Sequence, residues 1–260
     1  MMGVFIFLLS WMVILLYNFI YINMYLNYKG AKVYYEIEGD GEKDIVFLHG
    51  WGGSIKSFEF ILKKLNFNYR ALLIDFPMFG KSDMPKITYT IFDYEEIVRL
   101  IMQKENFNSP IVVGHSFGGR VAILLASKGC INGLVLAASA GLKPKRGLRY
   151  RLKIIKHKIK KKIGLKSNIE SPDYRTLPQN MKKTFVNIVT TYLEKYAINI
   201  SVPTILFWGK KDKDTPFYMA KRLKGLIKDS EIVFFKNSGH FCYIEQNICF
   251  AGIINSLAQR

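Results

Sequence analysis

The chain has 260 residues and a mass of 30.0 kDa, with 50% hydrophobic and 14% aromatic residues. That allows one sizeable domain with a real core plus an appendage, and excludes a disordered polar tail. The formal charge of +18 is concentrated: Lys143 to Lys166 carries 12 Lys/Arg and no Asp or Glu, while elsewhere 26 basic residues face 20 acidic ones.

Val4 to Asn23 reads VFIFLLSWMVILLYNFIYIN, and no charged side chain occurs from Met1 to Tyr28. About twenty apolar residues suffice for a helix to cross roughly 30 Å of hydrocarbon, so residues 1–28 are expected to form an N-terminal membrane anchor. A cleavable signal is disfavoured by the missing basic n-region and A-x-A-like site. Lys29 and Lys32 follow the segment and no Lys/Arg precedes it, which places the bulk of the chain in the cytoplasm. The alternative is a soluble cytoplasmic chain translated from Met24. In a bacterial gene that start would lack a purine-rich GG signal, because Asn18 to Asn23 are encoded only by codons without G.

From Ala31 onward, β-rich runs alternate with helical ones. Strands are expected at Lys32–Ile37 and Asp44–Leu48, paired as an opening antiparallel hairpin through a Gly39-Asp40-Gly41 turn. His49-Gly-Trp-Gly-Gly53 follows the second strand, before a helical stretch at Ser57–Leu65. Arg70–Asp75 is an apolar strand and Ile91–Glu105 an amphipathic helix. Pro110–Gly114 is a strand that runs into Gly114-His-Ser-Phe-Gly118, a G-x-S-x-G, and then into a helix at Phe117–Lys128. Such a turn holds Ser116 in a strained conformation, requires Gly114 and Gly118 for close chain approach, and puts helix N–H groups where an oxyanion develops. Ile131–Ala138 is a strand, after which Leu142 to about Asn199 breaks the alternation with helices only. Pro203–Trp208 is a strand that leads into Trp208-Gly-Lys-Lys-Asp-Lys-Asp-Thr-Pro216, and a helix follows at Phe217–Leu226. The last strand, Glu231–Phe235, leads into Asn237-Ser-Gly-His-Phe241 and a helix at Glu245–Leu257.

The alternation predicts an α/β fold: a mostly parallel twisted sheet with helices on both faces, whose ligands gather beyond the carboxyl ends of the strands. Ser116 needs a base, and His240 is the histidine on a loop at that edge; His157 lies in the basic run, and His49 and His115 sit inside other turns. The turn after the penultimate strand offers two carboxylates, Asp212 and Asp214, to orient the imidazole. The N–H groups of Trp51 and Phe117 form a candidate oxyanion pair. Cys130, Cys242 and Cys249 show no CxxC spacing; they imply neither a disulfide framework nor a zinc site, and they read as small apolar residues of a reducing compartment.

The motifs HGWGG, GHSFGG, WGKKDKDTP and SGHF, in order and each after a strand, resemble those of the α/β-hydrolase superfamily, AB hydrolase-1 type, across Ala31 to Gln259. The resemblance implies a Ser116, Asp212, His240 triad with Asp214 as runner-up for the acid, and no metal or organic cofactor. Asp75-Phe-Pro-Met-Phe-Gly-Lys-Ser82 departs from the family's D-x-P-G-x-G-x-S turn by Met78 in place of glycine. The resemblance also makes residues 142–199 a helical cap between core segments 29–141 and 200–260. In that cap Leu148, Leu152, Ile155, Ile159 and Ile163 fall within an arc of about 80° on a helix whose other faces are basic.

The cap helix invites two readings: an apolar stripe packed on the core beneath a solvated lysine face, or a face resting on anionic lipid. No nucleic acid is expected, since no recognised motif accompanies the charge. The function expected is hydrolysis of a small-molecule carboxylic ester with an apolar acyl group. The alternatives are C–C bond hydrolysis by the same triad, or a catalytically silent membrane-bound binding protein.

Overall fold

A computed structural model describes residues 24–145, 174–175 and 177–259. Eight strands form one sheet: β1 Met24–Tyr28, β2 Ala31–Glu38, β3 Lys43–Leu48, β4 Tyr69–Ile74, β5 Ile111–His115, β6 Gly133–Ala137, β7 Thr204–Gly209 and β8 Ser230–Phe235. Their order is β1-β2-β4-β3-β5-β6-β7-β8. The pairs β1/β2 and β2/β4 are antiparallel, and every other pair is parallel. Helices are α1 Glu59–Leu62, α2 Ile91–Lys104, α3 Phe117–Ser127, α4 Gln179–Thr190, α5 Glu194–Ala197, α6 Tyr218–Leu226, α7 Cys242–Glu245 and α8 Asn247–Ala258.

All five residues of β5 and all five of β6 are buried. A strand covered on both faces reads as a continuous apolar run instead of an alternation, which is what VVGH and GLVLA show. The helices supply that cover: α3 packs on β5 and against α2, while α8 packs against α1. Thr90 opens α2 with a capping box, its side chain accepting from the Asp93 N–H while Asp93 accepts from the Thr90 N–H at 2.6 Å.

The opening of the sheet differs from the sequence expectation. β2 and β3 are not neighbours, because β4 lies between them. The hairpin is β1/β2, which turns through Lys29 and Gly30, both at positive φ (45° and 80°). Met24–Tyr28, which the anchor assignment had included, therefore belong to the sheet, and the core begins by Met24 rather than Lys29. The polar/apolar alternation of MYLNY is masked in sequence by the long apolar run before it. The anchor expected at Val4–Asn23 and the cationic helix expected at Leu148–Ile163 lie outside the described residues. Among the described residues, no helix is long and apolar enough to cross a membrane.

At the Asp75 turn, Met78 keeps the left-handed backbone that glycine would adopt, φ 86°, at a cost of roughly 1–2 kcal/mol. The turn is not rearranged around it: Asp75 accepts from the Ile55 N–H and the Lys81 N–H, both at 2.7 Å, and the Ser82 hydroxyl donates to the Asp75 carbonyl at 2.5 Å. The three cysteines are free thiols, Cys242 buried and Cys249 exposed.

Candidate active site

Three loops leave the carboxyl ends of the parallel strands β5, β7 and β8 and converge. β5 ends at His115, and Ser116 turns the chain into α3 with φ 50° and ψ −107°. A non-glycine residue adopts that conformation only when its surroundings over-determine it. Here the Ser116 N–H donates to the Ala137 carbonyl and the Ala140 N–H donates to the Ser116 carbonyl, both at 3.0 Å, so the serine is pinned to the end of β6. Gly118 lets α3 approach β3: a Cβ there would stand 2.0 Å from the Leu48 carbonyl oxygen. At Gly114 a Cβ would meet the Gly118 carbonyl oxygen at 2.7 Å. The close-approach requirement read from the motif is therefore present at both glycines.

The candidate acid and base come from the β7 and β8 loops. Asp212 is buried, and its Oδ2 lies 2.9 Å from His240 Nδ1. Its Oδ1 accepts from the backbone N–H groups of Asp214 (2.8 Å) and Thr215 (2.9 Å). The Thr215 hydroxyl lies 2.7 Å from Asp212 Oδ2 and 2.9 Å from the Ala138 carbonyl, with one proton between the two acceptors. Burial alone would raise the Asp212 carboxyl, but the hydrogen bonds from His240 and Thr215 outweigh it and hold the pKa below its ordinary value. Asp214 is exposed, and what it gives Asp212 is a backbone donor. Between the two carboxylates left open by sequence, Asp212 is the one hydrogen-bonded to His240.

Two further histidines are buried. Burial pushes His49 down to about 4; its Nδ1–H donates to the Gly50 carbonyl at 2.8 Å, and its Nε2 accepts the Phe76 N–H at 3.0 Å. Burial likewise pushes His115 down to about 3, and its Nε2–H donates to the His240 carbonyl at 3.1 Å. The two rings lie 4.9 Å apart, so His115 supports the loop that carries the base. Gly50 leaves room for this ring, since a Cβ there would be 2.6 Å from His115 Nδ1.

Ser116 and His240 share one cavity of about 600 Å³, walled by Trp51, Phe117, Phe185, Ile188 and Phe241, with Arg120 and Asp214 as its other charged residues. The Trp51 ring meets Phe117 and Phe185 edge-on at 5.5 and 5.0 Å. All five residues singled out from sequence thus lie at one place, four lining the cavity and Asp212 behind His240. Thr215, His115 and Arg120 were not singled out. Thr215 could have been found from its place in the DKDTP turn, where a hydroxyl next to an acid commonly closes an Asx turn. Ligand atoms of Asp212, Asp214 and His240 lie within 4.8 Å of one another. The four donors already on Asp212 make this an acid–base pair with a neighbouring carboxylate, not a metal-ligand set.

Comparison with known proteins bears on the fold. A family model described as alpha/beta hydrolase fold matches residues 44–158. The AB hydrolase superfamily protein YisY of Bacillus subtilis is 28% identical over 238 residues, 78% of this chain and 87% of that protein. The 2-hydroxy-6-oxo-6-(2'-aminophenyl)hexa-2,4-dienoic acid hydrolase of Metapseudomonas resinovorans is 25% identical over 267 residues, 92% of each. Among solved structures, an esterase from Exiguobacterium antarcticum superposes with a TM-score of 0.74 over 92% of this chain and all of that one, at 22% identity.

Proposed function

The chain is an α/β-hydrolase, and from that premise we propose that it is a serine hydrolase of carboxylic esters whose acyl group is apolar next to the carbonyl. The observation that carries this reading is His240, bonded to Asp212 at 2.9 Å, sharing a cavity with a strained nucleophile-elbow serine. Asp212 on Nδ1 leaves Nε2 as the nitrogen that serves Ser116. In the proposed reaction the Ser116 oxygen attacks the ester carbonyl as Nε2 takes its proton, and the N–H groups of Trp51 and Phe117 receive the oxyanion. The C–O bond then breaks, and His240 returns the proton to the departing alcohol. Water attacks the acyl-enzyme by the same route, releasing the acid. The aromatic and branched walls favour an apolar acyl chain.

Fluorophosphonate labelling tests this directly. Wild type is expected to label and Ser116→Ala not to; an unlabelled wild type, or equal labelling of both, rejects the enzyme in favour of a silent binding protein. A second reading is C–C hydrolysis by the same triad. It is supported by the dienoic acid hydrolase among the relatives, since the acid in that name carries no ester bond.

Two membrane contacts belong to the same proposal. Residues 4–23 would anchor the chain with its catalytic part in the cytoplasm, and the basic run at 143–166 would rest on anionic lipid. A native protein found wholly in the soluble fraction refutes the first. Liposome binding that ignores anionic-lipid content, in a chain lacking residues 1–23, refutes the second.

A further inference from the structure

Arg120 stands four residues beyond Ser116 in α3. Ser116 caps that helix with non-helical dihedrals, and Arg120 lies in its first turn. Arg120 is 7% exposed, yet it lines the same cavity as Ser116 and His240. Its Nη1 donates to the carbonyls of Ile188 (3.0 Å) and Thr191 (2.8 Å) at the carboxyl end of α4, which ties the cap to the core. Among the described residues, no ion pair joins it to a carboxylate. Desolvation lowers its pKa to about 10, which still leaves it cationic at neutral pH.

Two carbonyl dipoles at a helix terminus offset part of the cost of burying a guanidinium. A full counter-charge is what such a site ordinarily needs. The cavity's other charged groups constrain where an anion can sit. Asp214, exposed at the mouth, repels one there, and His240 is occupied by Asp212. Tyr192 and Glu194 lie near enough to act on Arg120, but neither lines the cavity; among the lining residues Arg120 is the cation, and apolar side chains of Trp51, Phe117, Phe185 and Ile188 wall the space shared with Ser116.

We propose that Arg120 is an anion-binding residue of the catalytic cavity, and that the substrates are monoesters of dicarboxylic acids: an apolar methylene run from the scissile carbonyl to a terminal carboxylate held by the guanidinium. A planar fork matches a carboxylate in two parallel hydrogen bonds, which an ammonium does not reproduce. The proposal rests on the serine-hydrolase reading, so its test is a ratio and not a rate.

The test uses mono-4-nitrophenyl esters of succinate, glutarate and adipate, each beside the same compound with its free carboxylate methyl-capped. Charge-assisted hydrogen bonds of this kind change affinity by about tenfold or more. Wild type is expected to prefer the charged member of at least one pair by that factor in kcat/KM. Arg120→Gln is expected to abolish the preference, and Arg120→Lys to keep only part of it. Loss of the cap anchor slows both members of a pair together and cancels in the ratio. A wild-type ratio near or below one, or a ratio unchanged in Arg120→Gln, overturns the proposal. Thermal melting with glutarate provides the readout independent of activity: the free diacid should raise the Tm of wild type and not that of Arg120→Gln. If no ester is cleaved and Ser116 takes no fluorophosphonate, the hydrolase reading has failed, and the melting experiment alone decides the anion site, equal shifts or none in both proteins refuting it.

Discussion

Asp212→Asn separates orientation from mere proximity at the triad. The two backbone donors from Asp214 and Thr215 both point at Oδ1, at 2.8 and 2.9 Å. An asparagine at 212 must keep its carbonyl oxygen there, since turning its NH₂ toward two buried N–H groups would set donors against donors. The NH₂ then occupies the Oδ2 position, 2.9 Å from His240 Nδ1. It donates to Nδ1 and forces the proton onto Nε2, the nitrogen that has to accept the Ser116 proton. The wrong tautomer costs about 10⁴ in kcat, or about 5.4 kcal/mol in the activation barrier. Steady-state hydrolysis of a 4-nitrophenyl ester and the rate of fluorophosphonate labelling both read this loss. The fold is unaffected by the argument, because both backbone bonds survive, so Tm should move by no more than about 3 °C. Asp214→Asn keeps its backbone donor and should cost less than about tenfold. A loss below tenfold in Asp212→Asn, or an equal loss in both variants, would refute the orienting role.

Three variants probe the scaffold. Gly118→Ala places a methyl 2.0 Å from the Leu48 carbonyl oxygen and should cost about 3 kcal/mol or more in urea unfolding; a neutral result would mean that α3 can withdraw from β3. Gly252→Ala, inside α8 with nothing within 4 Å of the new Cβ, should instead stabilise by about 0.5–1 kcal/mol in the same assay. For pH, His49 and His115 are held at about 4 and about 3 against an ordinary value of 6.5. The unfolded chain binds their protons first as pH falls, so stability is full above 6.5 and declines toward pH 4. Each residue contributes at most about 1.4 kcal/mol per pH unit. Unfolding free energy measured at pH 7, 6 and 5 should fall in wild type and fall less in His115→Gln; a flat wild-type profile contradicts the burial argument.

What sequence could not show follows from how the signals arise. Ser116, Asp212 and His240 were legible because each sits on a loop that a strand hands to the sheet's carboxyl edge, and strand order is preserved in chain order from β5 to β8. The preference for Asp212 over Asp214 came from the family resemblance, since the residues alone left both carboxylates of one turn open. In the structure Asp212 is the buried carboxylate, bonded to His240, and Asp214 shows it a backbone N–H. The opening of the sheet was misread for a topological reason. Gly39-Asp40-Gly41 has the composition of a hairpin turn, but composition says nothing about which strand comes back to fill the neighbouring place, and β4 does. β1 was hidden because five alternating residues follow a run of apolar ones, and the longer run dominates any window that contains both.

The charge of the chain is the last point at which local arithmetic outperforms totals. Most of the excess lies in residues 143–166, and the core outside it is only mildly basic. Yet among the described residues the cation that lines the candidate cavity is a single arginine, in a helix whose other residues are apolar or small. A summed charge cannot find it, because surface lysines screened by water and a buried guanidinium count equally there. The cavity can: Ser116 caps α3, and Arg120, 7% exposed in the same helix, lines the cavity that Ser116 lines. On the proposed reading the motif and its next turn, GHSFGGR, act as one unit, in which the serine would set the reaction and the arginine four residues on would set the sign of what enters.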